Sequence, residues 1–324
     1  MTILLAKENV EEQLEMRHAY CQTLMELAEK DRRIVVLDAD LLYSMGMVPF
    51  QTKYPQRTFD CGVQEANMIG VAAGLSATGK VPFAHSFATF TTRRSLDQVF
   101  MSAAYAKLNV RIIGSDPGVM ASFNGGTHMA FEDLGVMRGI PEMTVLEPTD
   151  STMLCDLIKQ LANAYGVFYI RLMRRNAVKV YEEGSTFAIG KAVTLREGKD
   201  ATIIAIGLCV AESIQAAKVL ASRGLSVRVV NMFTLKPLDR EAVIRCAAKT
   251  GAIVTAENHN IINGLGSAVA EVLSESIPTP LERVGVQDLF GEVGSADYLK
   301  QKFELTAADI VKKVEKVISR KQTH

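Results

Sequence analysis

Side chains that could move protons, stack on a flat ring or bind an anion occur at intervals along the first half of the chain. Glu65 and His128 carry groups suited to acid–base chemistry. Phe90 could stack on a planar ring, and Arg174 could form charge-assisted hydrogen bonds with an acidic group. Each has an ordinary structural explanation when taken alone, because a Glu at a helix start is a favourable charge and an Arg can form a surface salt bridge. Their interpretation therefore depends on the elements that position them.

The first half of the chain alternates between helical and strand patterns. Apolar residues at helical spacing, beginning with Val10 and Leu14, predict helices, and short apolar runs predict strands. We expect strands at 34–37, 81–86, 110–114, 143–146 and 167–172, and helices at 10–28, 65–78, 91–107 and from 149. Strands that alternate with helices form a parallel sheet covered on both faces. Such sheets bind ligands at the carboxyl ends of their strands, where the residues above fall.

A change in the sequence pattern at residues 181–200 predicts a division into two domains. This segment carries charges and glycines without a sustained period, so we expect a linker there, between domains at 1–180 and 201–324. The second half repeats the alternation, with strands at 201–206, 227–231, 252–256 and 281–286 and helices at 210–222, 238–249, from 264 and from 306. The fold class predicted is α/β, with two three-layer α/β/α domains whose sheets are mostly parallel.

Composition excludes several classes of protein. The chain has 324 residues, and 48% hydrophobic and 22% charged residues are typical of a globular protein. Its 36 basic and 36 acidic residues balance, which predicts no steering toward nucleic acid or acidic membranes. The five cysteines lie far apart, as in a reducing cytoplasm, and neither a signal-peptide pattern nor a membrane-spanning run is evident. We therefore expect a cytoplasmic protein without a nucleic-acid or membrane partner.

Common nucleotide and metal motifs are absent from the sequence. It contains no Walker loop, no Gly-x-Ser-x-Gly elbow and no histidine spacing typical of zinc sites. The run from Gly264 through Gly266 follows a predicted strand, but Val269 stands where a dinucleotide-binding loop has Gly or Ala, which favours a tight turn.

Five segments of the first domain, taken together and in order, resemble the C-terminal half of transketolase and the matching part of deoxyxylulose-phosphate synthase. The segments are Asp38-Ala-Asp40-Leu41, Phe59-Asp-Cys-Gly-Val-Gln-Glu65-Ala-Asn67-Met68, His85-Ser-Phe87-Ala-Thr-Phe90-Thr-Thr-Arg93, Gly125-Gly-Thr127-His128 and Arg171-Leu-Met-Arg174-Arg-Asn176. The resemblance covers nearly the whole chain. It implies a pyrimidine-binding domain for thiamine diphosphate followed by a transketolase C-terminal domain.

The resemblance implies a role for each coenzyme-facing residue. Glu65 matches the carboxyl group that hydrogen-bonds the pyrimidine N1′ and drives the tautomer shift that activates the thiazolium C2. Phe87 and Phe90 match the aromatic lining of the pyrimidine pocket, with Phe90 in the stacking position. The cofactor-binding set also includes Asp40 and Leu41 from the first segment and Arg93 from the segment of the two phenylalanines. Arg93 departs from transketolases, which usually carry Tyr there, and agrees with deoxyxylulose-phosphate synthases.

The resemblance also implies a substrate site. His128 matches a histidine that faces the sugar hydroxyls and moves protons at the reacting carbon. Arg17, Ser44 and Arg174 match positions that hold the terminal phosphate of sugar substrates. Asn124 replaces a family Asp that reads a donor hydroxyl, and a second family histidine falls near Ser115. These differences indicate that the substrate need not be an ordinary pentose phosphate, and a sugar with another acidic tail, such as a sulfonate, is conceivable.

The family marks its diphosphate and Mg²⁺ site with Gly-Asp-Gly, and this chain contains no Gly-Asp-Gly. We therefore expect no metal ligand in this chain and a partner chain that resembles the N-terminal half of transketolase and holds Mg²⁺ and the diphosphate. The resemblance then implies a split transketolase, assembled as an α2β2 heterotetramer, that transfers a two-carbon ketol unit between sugars. Alternatives are a 2-oxoacid dehydrogenase β subunit, an enzyme like deoxyxylulose-phosphate synthase, and a non-catalytic partner-binding subunit.

Overall fold

The computed structural model describes residues 1–321, which form two β-sheets flanked by helices. The strands are β1 (Ile34–Asp38), β2 (Thr58–Asp60), β3 (Val81–Phe87), β4 (Val110–Ser115), β5 (Thr144–Leu146), β6 (Val167–Leu172), β7 (Val193–Arg196), β8 (Ala201–Ala205), β9 (Val227–Asn231), β10 (Thr234–Lys236), β11 (Ile253–Asn260) and β12 (Leu281–Val286). The α-helices are α1 (Met16–Lys30), α2 (Val48–Lys53), α3 (Glu65–Ala77), α4 (Leu96–Gln98), α5 (Asp133–Arg138), α6 (Ser151–Asn163), α7 (Cys209–Ser222), α8 (Arg240–Thr250), α9 (Leu265–Glu275), α10 (Ala296–Lys302) and α11 (Ala307–Lys321). Tighter 3₁₀ turns lie at Pro55–Arg57, Gly118–Asn124 and Gly126–His128.

The two sheets confirm the predicted fold class. The larger sheet has seven strands in the order β10-β5-β6-β4-β3-β1-β2, and the smaller has five in the order β12-β11-β8-β9-β7. Within the described residues, neighbouring strands are parallel except at β10 with β5 and at β7 with β9. The residues of β1, β3, β4 and β6 are buried throughout, as expected for strands covered by helices on both faces. No helix within residues 1–321 combines the length and the apolar character needed to cross a bilayer.

The first helix is shorter than predicted. It begins at Met16 rather than near Val10, and the preceding residues run extended beside a later segment, where Leu5 pairs with Tyr181. Val10 and Leu14 are 54% and 40% exposed, so their helical spacing does not mark a buried helix face. The prediction was wrong here because the backbone of this segment bonds to residues about 170 positions away, a long-range pairing that local periodicity does not reveal.

The predicted helix at 91–107 is wound unevenly. Two π-helical segments, Phe90–Arg94 and Val99–Tyr105, lie on either side of the single α-turn of α4. The hydroxyl of Thr92 donates to the carbonyl of Ala88 at 2.6 Å, which bends the backbone at the start of this stretch. π-turns are rare and occur frequently at functional sites.

The second half of the chain completes the first sheet. Strand β10 pairs with β5 at the edge of the larger sheet, with Thr234 opposite Leu146. Among the described strands and α-helices, the sequence analysis missed six short ones: β2, β7, β10, α2, α5 and α10. The predicted linker at 181–200 contains β7, which joins the smaller sheet. The division at 1–180, 181–200 and 201–324 stays a prediction.

Buried Arg171, on β6, connects the two sheets. Its guanidinium donates two bonds of 2.7 Å to Asp133 and contacts Glu147 at 3.2 Å and the carbonyl of Asn258 on β11 at 3.0 Å. The side chain of Asn258 in turn accepts from the amide of Val119 and donates to Pro117. The second sheet therefore positions the loop that leads to Asn124 and His128.

Candidate active site

Glu65 is the first residue of α3, and its carboxyl group lies inside the protein. The residue is 1% exposed. Its Oε1 accepts a hydrogen bond from Ser86 Oγ at 3.0 Å, and its Oε2 accepts one from Arg94 Nη1 at 2.8 Å. Ser86 lies on β3, so an inner strand of the sheet fixes the orientation of the carboxylate. A helix start also supplies a favourable field for a negative charge.

Three aromatic rings meet beside Glu65. Phe87 ends β3, Phe90 begins the first π-helical segment, and His128 lies at the end of the Gly126–His128 turn. The His128 ring centroid is 5.3 Å from that of Phe87 and 5.1 Å from that of Phe90, both edge to face. Partial burial, and to a smaller extent the charge of Arg94, lower the pKa of His128, so its imidazole is neutral near pH 7. The structure thus brings three predicted residues into one cluster.

The two adjacent arginines point to different partners. Arg93, predicted to bind the coenzyme, is exposed and forms an ion pair of 2.9 Å with Glu132. Arg94, which the sequence analysis did not single out, bonds to Glu65 and stacks over Phe90 with its Cζ 4.1 Å from the ring centroid. No signal in the sequence distinguishes Arg94 from Arg93, because the contact depends on the π-helical winding of Phe90–Arg94.

The turn after β1 places Asp40 and Leu41 at the carboxyl edge of the sheet. Asp38 accepts a hydrogen bond from the amide of Leu41, and its other oxygen lies 2.7 Å from Nε2 of His85. Asp40 has a φ of 63°, and its amide donates to Asp60 at 3.0 Å. The carboxylates that end β1 and β2, Asp38 buried and Asp60 exposed, therefore hold a turn that local preference alone would not favour.

The three residues predicted to hold an anionic tail also converge. Arg17 donates from Nη1 to the carbonyl of Ser44 at 2.7 Å, and its amide donates to the carbonyl of Arg174 at 3.2 Å. Arg17 also donates from Nε to Glu15 at 2.6 Å. Residues from α1, from the turn before α2 and from the segment after β6 thus lie together, with the Glu15 carboxylate paired with Arg17.

Asp116 is a counter-charge that the sequence analysis did not name. Its carboxylate is buried, and Oδ2 lies 3.0 Å from Nε of Arg174. Burial raises the pKa of Asp116 to about 6, although the positive charge of Arg174 opposes the shift. The Cζ of Arg174 lies 5.8 Å from the Phe87 ring centroid, which connects this ion pair with the aromatic cluster.

A cavity of about 520 Å³ is lined in part by the loop at 118–124. Asn124 and Arg174 line it together with residues of the second half, among them Leu208 and Lys300. Asn124 therefore belongs to a loop between the two sheets, and no hydrogen bond between its side chain and His128 is seen in the described part of the chain. Within residues 1–321, no group of three His, Cys, Asp or Glu side chains is arranged to hold a metal ion.

Comparison with known proteins identifies the family. Residues 12–179 match the family described as transketolase, pyrimidine binding domain, and residues 190–310 match transketolase, C-terminal domain. The chain belongs to the transketolase family. The resemblance predicted from the sequence is confirmed, and the chain is a subunit of a thiamine-diphosphate-dependent ketol transferase of the split kind.

Several relatives of this transketolase subunit have a similar length. It is 55% identical to the 6-deoxy-6-sulfo-D-fructose transketolase subunit SqwH of Clostridium sp. (strain MSTE9), over 94% of this chain and 95% of that protein. It is 41% identical to the putative transketolase C-terminal section of Methanocaldococcus jannaschii, over 92% and 95% of the two chains. A solved structure described as a split gene transketolase, inactive beta4 tetramer, matches with a TM-score of 0.88 and 44% identity, covering 94% of this chain and 99% of that one.

Proposed function

We propose that this subunit forms the pyrimidine half of a thiamine diphosphate site and transfers a two-carbon ketol unit from a ketose with an acidic tail to an aldose. The observation that carries the proposal is the buried carboxyl group of Glu65, which Arg94 connects to the ring of Phe90, against which His128 packs. A carboxyl group at one edge and an aromatic face below are the two features that an aminopyrimidine requires. The residues present therefore fit the pyrimidine part of the coenzyme.

The chain's own residues would hold and tune the coenzyme. Glu65 would bind N1′ of the pyrimidine, Ser86 would keep the carboxyl group in the required orientation, and Phe90 would support the ring. Asp40 and Leu41, in the turn after β1, would contact the coenzyme at the same edge of the sheet. When bound, the coenzyme supplies the carbanion chemistry and the electron sink for cleavage of the sugar carbon–carbon bond.

His128 would act on the substrate. Its imidazole edge faces Phe87 and Phe90, and Thr127 Oγ1 lies 2.9 Å from its Nδ1. A neutral imidazole can accept a proton from a sugar hydroxyl and return it, which ketol transfer requires at the carbon that changes between alcohol and carbonyl. The lowered pKa of His128 keeps it in this form at neutral pH.

The anion site favours a tail with a single negative charge. Arg17 and Arg174 supply the donors, but each already has a carboxylate partner, Glu15 at 2.6 Å and Asp116 at 3.0 Å. A phosphate monoester carries about two charges at pH 7, whereas a sulfonate carries one, so these carboxylates oppose phosphate more strongly. The relative at 55% identity is named for 6-deoxy-6-sulfo-D-fructose, a ketose with a sulfonate tail. We propose a sulfonated ketose as the donor, with Asn124 near its hydroxyl groups.

A partner chain would complete the site. It would resemble the N-terminal half of transketolase, bring Mg²⁺ and the diphosphate pocket, and assemble with this chain as a cytoplasmic α2β2 heterotetramer. Two observations support this proposal: the sequence has no Gly-Asp-Gly, and the similar structure of another split transketolase, which contains only this type of subunit, is described as an inactive tetramer.

The test is reconstitution with the product of the adjacent gene. The mixture receives thiamine diphosphate, Mg²⁺, a sulfonated ketose and an aldose phosphate, and ketol transfer is followed by mass spectrometry. We expect transfer only when both chains are present, and loss of transfer in the Glu65→Ala variant. Transfer by this chain alone, or an unchanged rate in the variant, would contradict the proposal.

A further inference from the structure

The guanidinium of Arg94 lies between the two groups that the proposed function assigns to the aminopyrimidine. It donates to Glu65 Oε2 at 2.8 Å, and its Cζ lies 4.1 Å from the centroid of the Phe90 ring. A guanidinium is planar, carries hydrogen-bond donors at its edge and stacks by its face on aromatic rings. It therefore satisfies an edge contact and a face contact at the same time, as a bound aminopyrimidine would.

We propose that Arg94 occupies the aminopyrimidine subsite before the coenzyme arrives and that the coenzyme enters by displacing it. This inference rests on the proposed function, which assigns Glu65 and Phe90 to the pyrimidine. Both planar groups cannot bond to the same Glu65 oxygen and lie on the same face of Phe90. Arg94 is thus a competitor built into the site, and it sets the affinity of this chain for the coenzyme.

The contact with Arg94 stabilises the buried carboxyl group of Glu65 when no coenzyme is bound. The Glu65 side chain is 2% exposed, and a buried carboxylate without a cationic or hydrogen-bonding partner is strongly unfavourable. Ser86 donates to only one carboxylate oxygen, so the second oxygen depends on Arg94. Arg94 holds the Glu65 carboxyl group in place until the pyrimidine takes over this contact.

The side chain of Arg94 can also move out of the subsite, because it reaches the protein surface. This side chain is 44% exposed, whereas Arg171 and Arg174, which also pair with buried carboxylates in this half of the chain, are 0% and 14% exposed. Water can therefore hydrate the guanidinium as it leaves, while the Glu65 carboxylate stays buried. The residue stands at the end of the π-helical segment Phe90–Arg94, next to Ser95, where the winding changes. Rotation of one surface side chain is therefore sufficient to open the subsite.

The test measures binding of the pyrimidine itself. Isothermal titration calorimetry measures two affinities. The first is the affinity of the full chain for 4-amino-5-hydroxymethyl-2-methylpyrimidine, and the second is the affinity of the assembled complex for thiamine diphosphate in the presence of Mg²⁺. Arg94→Met keeps an unbranched apolar side chain over Phe90 but removes the competing charge and donors. We expect this variant to bind both probes about tenfold more tightly, which corresponds to about 1.4 kcal/mol. The control is Arg33→Met, which removes an exposed arginine paired with Asp31 at 2.8 Å and should change neither affinity.

Weaker or unchanged binding by Arg94→Met would overturn the inference. If the wild-type complex itself fails to bind thiamine diphosphate, or binds it equally well after Glu65→Ala, then the proposed function fails instead. A measurement on the wild-type chain does not depend on the folding of Arg94→Met. The Nε–H resonance of Arg94, assigned by its loss in Arg94→Lys, should shift when the pyrimidine is added, and an unshifted resonance at saturating pyrimidine would also overturn the inference.

Discussion

Replacing Asp116 by Asn should weaken the discrimination between sulfonated and phosphorylated ketoses. Asp116 is buried, and its carboxylate lies 3.0 Å from Nε of Arg174. Asn has nearly the same size, and its backbone tolerates the left-handed conformation that Asp116 adopts, with a φ of 51°. The substitution therefore removes a negative charge from behind the anion site while the local shape is kept.

The expected magnitude follows from Coulomb's law. An anion on the outer edge of the Arg174 guanidinium would lie about 7 Å from the Asp116 carboxylate, where two unit charges interact by about 2 kcal/mol at an effective dielectric constant of about 20. A phosphate tail carries roughly one charge more than a sulfonate, so its binding gains up to about 2 kcal/mol more, or ~30-fold. Screening by salt reduces this value, and we expect a relative gain of about fivefold to 30-fold.

The assay compares kcat/KM of the reconstituted enzyme for a matched pair of ketoses that differ only in a sulfonate or a phosphate tail. At pH 8, Asp116 is ionised because its pKa is about 6, and the ratio should shift toward phosphate in Asp116→Asn. The matched control, Asp31→Asn, removes a half-buried carboxylate that pairs with Arg33 before β1 and should leave the ratio unchanged. An unchanged ratio in Asp116→Asn, or an equal loss with both donors, would refute the reasoning.

Three further predictions concern residues around the site and between the sheets. Ser86→Ala removes the 3.0 Å bond to Glu65, and we expect kcat of the reconstituted enzyme to fall about fivefold to tenfold, or about 1 to 1.4 kcal/mol; a kcat within twofold of wild type would contradict this. His128 has a lowered pKa, so its protonated form accumulates only below about pH 6.5. We expect activity to fall with decreasing pH in this range, and His128→Asn should abolish that acidic limb of the pH–activity profile. An acidic limb retained in the variant would exclude His128 as its source. Arg171→Met leaves Asp133 and Glu147 buried without their cation, which should lower the free energy of unfolding by roughly 3–5 kcal/mol in urea titrations, whereas a change below about 1 kcal/mol would disagree with this account.

The sequence predicted best those parts of the fold that depend on local patterns. The buried strands of both sheets are short apolar runs, and the runs at 167–172, 227–231 and 281–286 coincide with β6, β9 and β12. The first helix was placed too early because Val10 and Leu14 repeat at helical spacing although their segment is extended. β10 was missed because three residues that pair across the chain carry no periodic signal.

The candidate site was predictable as a set of residues but not as a set of contacts. Motif order placed Glu65, Phe90 and His128 together, and the structure brings them within contact of one another or of shared neighbours. The role of Arg94 depends on which of two adjacent arginines a π-helical turn directs inward, and no spacing rule for a regular helix gives that answer. Asp116 escaped notice because its importance comes from burial next to Arg174, which only the packed structure shows.

The most direct test of the central claim is hydrogen–deuterium exchange at C2 of thiamine diphosphate, followed by NMR after acid quench of the assembled complex. The account predicts rapid exchange when both chains are present. In Glu65→Gln, which preserves the hydrogen bond from Ser86 but cannot share a proton with N1′, exchange should slow by at least about a hundredfold, or about 3 kcal/mol, while the coenzyme stays bound. Exchange at the wild-type rate in Glu65→Gln would contradict the account.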